Sequence, residues 1–320
     1  MVRILRDAEL RALLDIPRVV ARIEAGYHTD ARGEVVAFPR SRIEARGVAL
    51  AWLGAGIPSD GVVGFRSYVY RSDGYDRGEQ IVALYGYPTM ELRALFIGRL
   101  IGNLRTGAAI AAALHLADPD VREIGVIGTG AQARNALACI APTLRPKRIV
   151  AWSPNRGRRE EFQAWSRQAL GVEIELVENA TEVLEKSSAV ACVTSSTEPV
   201  ITPDMLTGPK LLLSISSYRY PEIDPRILDA APCIWTDSVE QASGPATLFE
   251  AAGRRSKLRP LGQGIADGSA RDRGSTRIII NTGAAWEEVV LAEMLFELAG
   301  PKEVGVHVPI SSESSGAAVF

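Results

Sequence analysis

Val126-Ile127-Gly128-Thr129-Gly130-Ala131-Gln132-Ala133 closes the apolar run VREIGVIG and opens the helical run AQARNALACIAPTL. The pattern is G-x-G-x-x-A between a strand and a helix, and each small residue has a physical task. Gly128 permits the tight turn, Gly130 lets backbone N–H groups approach a pyrophosphate, and Ala133 lets the helix settle on the strand. Gly130, Ala131 and Gln132 then present their N–H groups to an anion at the positive end of that helix. The stretch reads as a dinucleotide loop, and its strand–loop–helix–strand context says more than the glycines alone.

Outward from this loop, strands and helices alternate. RIVAWS, VEIELVE, AVACVTS, KLLLSIS, APCIWTD and TRIIIN read as strands, and RREEFQAWSRQAL and TEVLEKS as helices. Strands apolar on both faces that alternate with helices specify a doubly wound parallel sheet, an α/β Rossmann fold. The preceding texture differs: EVVAFPR, GVALAWLG, GVVGFRSYVYR and QIVALYGY are strand-like runs divided by turn residues, an antiparallel block. Helices are expected over residues 1–25, from Leu92 to Leu116, and from Ala284 to Leu298. Gly253–Ser275, rich in Gly and Arg, is expected to be a loop or lid whose Arg254, Arg255, Arg259, Arg271 and Arg273 meet substrate or phosphate. Gly305–Phe320 reads as an extended tail.

Composition removes several classes of function. With 36 basic and 38 acidic residues in 320, the net charge of −2 offers no general attraction to a nucleic-acid backbone or an anionic membrane. No apolar run approaches the about 18–20 residues that span a bilayer. Cys139, Cys192 and Cys233 are odd in number and far apart, and His28, His115 and His307 are equally scattered. A disulfide framework or a metal centre is therefore not expected, and a reducing, cytoplasmic setting is.

The end of the second strand bears on the choice of dinucleotide. NAD sites place an acid about 20 residues after the glycines to hold the ribose 2′-OH. Here Ser153 stands at that place, followed by Pro154, Asn155, Arg156 and Arg158, and Arg145–Arg159 holds six basic residues and no acid. Without a carboxylate to repel a 2′-phosphate, and with arginines able to pair with one, NADP(H) is favoured and NAD(H) remains possible.

LRTGAAIAAALHLADPDVREIGVIGTGAQA (Leu104–Ala133), the Pro39-Arg40 strand, TSSTEPVI (Thr194–Ile201) and NTGAAWEEVVLAEML together resemble the ornithine cyclodeaminase/mu-crystallin family over nearly the whole chain. The resemblance implies a homodimer. Residues 1–116 and 284–320 would form an α+β substrate-binding and dimerisation domain, with a Rossmann domain, 117–283, inserted. It implies hydride exchange between a nicotinamide and the α-carbon of a small amino or imino acid.

Carried over residue by residue, the resemblance gives Arg105 and Arg40 to the substrate carboxylate. A planar guanidinium can hold a carboxylate by two parallel charge-assisted bonds. Arg66 falls near the family's active-site lysine; it can supply charge and hydrogen bonds but no proton, because it stays protonated. Ser216, or Ser217 if the alignment slips by one, stands where cyclodeaminases have their acid/base Asp, and Tyr220 where they have Lys. Thr106, Thr194, Ser195 and Gly283 are placed near the cofactor, with Ser216 beside them, and Glu288 matches the family's final Asp. Asp237 is either near the nicotinamide or a helix cap.

A serine cannot serve as a carboxylate base, so ammonia release should be impaired while imine reduction or its reverse survives. The expected activity is an NAD(P)-dependent amino-acid dehydrogenase or imine reductase. A cyclodeaminase-type ammonia lyase and a cofactor-dependent binding protein with little turnover are the alternatives.

Overall fold

The two textures form two sheets. The computed structural model describes residues 1–71, 77–215, 221–245, 247–250 and 252–309, without the side chains of Arg77 and Ala252. The first part runs β1 (Val2–Arg6), α1 (Asp7–Arg11), α2 (Ile16–Ala31), β2 (Val36–Ala45), β3 (Val48–Ile57), β4 (Val62–Arg71), β5 (Arg77–Gly86), β6 (Leu92–Ile97) and α3 (Leu100–Ala117).

The second part runs β7 (Glu123–Ile127), α4 (Ala131–Leu144), β8 (Arg148–Trp152), α5 (Arg156–Leu170), β9 (Glu175–Leu176), α6 (Ala180–Glu185) and β10 (Ala189–Cys192). It continues through β11 (Leu211–Ser214), α7 (Pro225–Ala230), β12 (Ile234–Thr236), α8 (Val239–Ala242), α9 (Ala252–Arg255), β13 (Leu258–Pro260), α10 (Leu261–Ala266) and β14 (Arg277–Ile280). The chain then returns to the first sheet with α11 (Ala285–Ala299) and β15 (Val306–Val308).

The first sheet has the order β15-β1-β6-β5-β4-β3-β2, antiparallel except for the β1–β6 pair. The second has the order β13-β12-β14-β11-β10-β7-β8-β9 and is parallel throughout. All four residues of β10 and of β11 are buried, as a strand covered on both faces requires. The fold is thus the expected α/β arrangement, with the parallel sheet interrupting the mixed one along the chain.

Four local expectations need correction. Val2–Arg6 is a strand, because it gains hydrogen bonds from β6 on one side and β15 on the other. Leu92–Ile97 is likewise a strand between β1 and β5, and the helix starts only at Leu100. The tail contributes Val306–Val308 to the sheet edge; residues 310–320 lie outside the described residues.

Gly253–Ser275 is largely structured, carrying α9, β13 and α10, with β13 paired to β12. Its arginines hold the fold together: Arg254 pairs with Asp229 at 2.7 Å, Arg271 bonds the Leu116 carbonyl at 2.9 Å, and Arg273 pairs with Asp118. Arg259 bonds the carbonyls of Ser256 and Leu258.

α3 joins the two halves. Leu100–Ala117 is long and apolar enough to cross a membrane, contrary to expectation, yet nearly all of it is buried in the protein core between α2, α4 and α11. One hydrophobic cluster runs from Leu5, Leu53 and Leu84 of the first sheet through Ile110 and Leu114 to Val126 and Ala191 of the second. α3 meets α4 closely at Gly107, where a Cβ would overlap the Asn135 carbonyl and crowd Cys139 Sγ at 3.1 Å. An alanine gains up to about 1 kcal/mol of helix propensity. Forcing the helices apart costs about 1–3 kcal/mol, so the overlap wins. Gly107→Ala should lower the melting temperature by several degrees in thermal denaturation, whereas a neutral or stabilising effect would show that the helices part freely.

Candidate active site

The glycine loop lies where β7 meets both β8 and β10, the point at which the strand order reverses. In sheets of this kind, ligands sit in the crevice beyond the carboxyl ends of the strands at that point. Gly128 has φ +104°, and a Cβ there would press into the Val193 carbonyl at 2.5 Å, so the turn can be made only by glycine. A Cβ on Gly130 would instead enter open space above the start of α4, and Gly130 and Ala131 are exposed. The open cradle and the helix terminus beneath it fit a dinucleotide pyrophosphate.

Along the neighbouring edge, Ser153 is buried and shares a 2.8 Å hydrogen bond with Thr129. Asn155 caps α5 by accepting from the Arg158 N–H at 3.0 Å. Arg156 pairs with Glu160 at 2.9 Å, and Arg159 is buried against Glu178 and the Val177 carbonyl. Arg158 is exposed, with no side-chain partner among the described residues. Across the crevice, the Thr194 N–H donates to Glu222, which also accepts from Ser214 at 2.6 Å; Ser195 is exposed beside it. Burial pushes the Glu222 carboxyl upward, against the pull of those bonds.

The three arginines meet around the start of α11. Arg66 on β4 is 3% exposed and donates to Glu288 and Gln80, with its guanidinium tucked under Gly102 of α3. Arg105 donates from Nε to the same Glu288 oxygen at 3.1 Å and from Nη1 to Glu287 at 3.3 Å. Its Nη2 has no protein partner among the described residues. Gly283, at φ +75°, lies against this guanidinium so closely that a Cβ would overlap it. Arg40 reaches the same loop, donating to the Thr282 and Gly283 carbonyls at 3.4 and 3.2 Å.

This loop is anchored from the parallel sheet. Asp237, just after β12, accepts from Thr282 N, Thr282 Oγ1 and Ala284 N at 2.7–2.8 Å, and Gln241 bonds the Thr282 and Gly283 carbonyls. Asp237 therefore tethers the loop that enters α11, and the cap of α8 is its neighbour Ser238, which accepts from the Gln241 N–H. Burial, then Asp237, raise the Glu287 carboxyl well above the usual range, against Arg105 and Asn281. Burial also lowers the proton affinity of Arg66, opposed by Glu288, but a guanidinium stays charged at working pH.

The sequence-derived residues thus fall into two groups. Gly128, Gly130, Ala131, Gln132, Ser153, Asn155, Thr194 and Ser195 line the carboxyl ends of β7, β8 and β10. Arg40, Arg66, Arg105 and Gly283 meet at α11. Thr106 spends its hydroxyl on the Gly102 carbonyl at 2.9 Å within α3. Ser216, Ser217 and Tyr220 lie outside the described residues. The two groups are joined through Gly107, two residues beyond Arg105, which touches Asn135 in the helix opened by the glycine loop.

Glu287, Gln80 and Gln241 were not singled out from the sequence. A signal existed for the first: Glu287-Glu288 is a charged pair in the otherwise apolar start of α11, and both side chains are buried. His115 makes a structural pair with Glu24 at 2.7 Å, and Cys139 is buried with its thiol pushed up to about 12.

Fold and cradle define a dinucleotide-binding protein whose crevice ends in a cluster of buried arginines and carboxylates. The chain belongs to the ornithine cyclodeaminase/mu-crystallin family, whose profile matches residues 4–303. It is 25% identical to the iminosuccinate reductase of Paracoccus denitrificans, over 96% of this chain and 99% of that one. It is 23% identical to a Delta(1)-pyrroline-2-carboxylate reductase of Bacillus cereus, over 71% and 73% of the two chains. The structure of Thermococcus litoralis Delta(1)-pyrroline-2-carboxylate reductase, in complex with NADH and L-proline, has a TM-score of 0.83 at 21% identity, covering 96% of this chain and 100% of that one.

One acid beside this cluster titrates in an accessible range. Asp30, near the end of α2, is raised to about 6 by burial, then by Asp237 and Glu240. An acid raised on folding contributes stability that is full below its unfolded value near 3.9 and is lost as pH rises through about 6. Asp30→Asn should therefore raise the melting temperature at pH 8 and give little gain at pH 4. Equal gains at both pH values would contradict this origin.

Proposed function

We propose that the chain is a nicotinamide-dependent oxidoreductase that reduces imino acids, or oxidises the matching amino acids, at the α-carbon. The observation that carries this reading is the contact between α3 and α4. It holds Arg105 and the glycine loop in one packed unit, so a carboxylate on Arg105 lies at a fixed place relative to a bound dinucleotide. The bound nicotinamide supplies the hydride.

The chain's own residues orient and neutralise. Arg105 turns its Nη2 edge to the substrate carboxylate, and Arg40 flanks it. Arg66, by its matched position, stands toward the imine end. Ser216 would orient the nitrogen by a hydrogen bond. Thr194 and Ser195 line the nicotinamide side, and Gly128, Gly130, Ala131 and Gln132 hold the phosphates. Fixing the carboxylate places the α-carbon for reaction, an orientation effect that can be worth about 100-fold when a group is misplaced by an ångström.

NADP(H) is the proposed partner. Ser153 carries no charge against a 2′-phosphate, and exposed Arg158 stands at the start of α5 with no carboxylate partner among the described residues. A cytoplasmic setting suits three cysteines that are free thiols.

A homodimer is also proposed. β4 alternates buried Val62, Gly64, Arg66 and Tyr68 with outward Val63, Phe65 and Val69, which are 37–40% exposed. Val36, Phe38 and Ile43 on β2 and Ile81 on β5 add to the exposed apolar surface of this sheet. A patch of this kind marks an interface, and the continuous sheet face suits a second copy.

Two outcomes are expected in a reductase assay that follows the absorbance of the reduced nicotinamide. Arg105→Ala should lower kcat/KM for a cyclic imino acid by about 100-fold or more; full activity in that variant would remove the carboxylate clamp. Arg158→Ala should raise KM for NADPH about tenfold and leave KM for NADH unchanged. Equal effects on both would assign Arg158 no part in nucleotide choice.

A further inference from the structure

We infer that Gln241 is a positioning residue for the substrate carboxylate: its side-chain amide fixes Arg40 and, through Gly283, Arg105 at one spacing. This rests on the imino-acid reading above, in which those two arginines hold the carboxylate.

Arg40 stands in a bulge of β2. Phe38 pairs with Gly54 and Ser41 with Trp52, so Pro39 and Arg40 together stand against Leu53 alone. A bulge re-aims a side chain and takes backbone groups out of the ladder. Gln241 Oε1 accepts the Arg40 N–H at 3.0 Å. At the other end of the same amide, Nε2 donates to the Thr282 and Gly283 carbonyls at 2.7 and 3.0 Å. These neighbours allow one orientation of the amide, because a backbone N–H only donates and a carbonyl only accepts.

The two carbonyls are also the ones that Arg40 Nη2 reaches, at 3.4 and 3.2 Å. The backbone and the side chain of Arg40 are therefore both referred to Gln241, the first directly and the second through the loop it holds. Gly283 in turn lies so close to the Arg105 guanidinium that a Cβ there would overlap it. Gln241 stands on α8, just beyond β12 of the parallel sheet, and Ser238 caps that helix by accepting the Gln241 N–H. One amide thus links β2 of the mixed sheet, α8 beside the parallel sheet and the loop that enters α11. At 7% exposure, water has little access to take over its bonds.

The task needs an acceptor at one end and a donor at the other. Gln241→Met keeps the bulk of the side chain and removes both. Gln241→Glu keeps the acceptor and sets a carboxylate oxygen against two carbonyls. The test uses the full-length protein saturated with NADP+. Calorimetry compares pyrrole-2-carboxylate with pyrrole-2-carboxamide, which has the same ring without the charge, and NADPH binding is measured on each variant.

The wild type should prefer the carboxylate, and each Gln241 variant should shrink that preference about tenfold while NADPH binds as before. Arg40→Ala should shrink it too, and Gln241→Met added to Arg40→Ala should cost less than the product of the single effects. A folded Gln241 variant with an unchanged preference overturns the inference. So does a wild type without the preference, an Arg40→Ala protein that keeps it, or an equal loss of NADPH affinity. If 1-pyrroline-2-carboxylate is not reduced with NADPH while the Gln241 variants still lose the preference, the reductase reading fails and the positioning role stands.

Discussion

The close approach of α3 to α4 at Gly107 is the constraint on which the rest depends. α3 is an apolar helix buried almost all round, so it must be covered on every side, and both sheets contribute to the cover. Because its neighbour α4 begins at the glycine loop, the helix that carries Arg105 is set directly against the nucleotide cradle. α11 completes the frame, lying on β4 where a Cβ on Gly64 would crowd Val289 at 3.2 Å, and bringing Glu287 and Glu288 to the arginines. Packing, not loop placement, decides where the charges stand.

Those charges are expensive to bury. Removing an ion from water costs several kcal/mol even after relaxation, and pairing repays it only with good geometry and further hydrogen bonds. Arg66, Arg105, Glu287, Glu288 and Asp237 are all nearly inaccessible, and each finds partners: Gln80, Asn281, Thr282 and the N–H of Ala284 among them. Well-packed apolar residues of like size often make a core as stable as a buried ion-pair network or more so. A polar network kept here is consistent with a site that has to hold a charged ligand in one orientation.

Much of this was legible in the sequence for definite reasons. The parallel sheet announced itself by runs such as AVAC and KLLLS, apolar on both faces, and the cradle by glycines whose tasks are local. The failures share one cause. Val2–Arg6 and Leu92–Ile97 are short runs whose own pattern does not distinguish strand from helix, and pairing with partners about 90 residues away settles them. Gly253–Ser275 looked like a loop because glycine and arginine are common in loops. Its glycines are there for close packing instead: Gly262 against the Tyr27 carbonyl and Gly264 against Trp235. At the site, the arginines could be named from local motifs, but their partners could not, since Glu288 lies more than 180 residues from either arginine it binds.

On the proposed reading, an acid-anchored α-carbon receives hydride from a nicotinamide held by the glycine loop. The most direct measurement uses NADPH carrying deuterium at both C4 positions with 1-pyrroline-2-carboxylate, followed by NMR of the product. One deuterium at the α-carbon of proline, delivered to a single face, is the expected result. Proline without the label, or a nucleotide that stays reduced beside each imino acid offered, would contradict it.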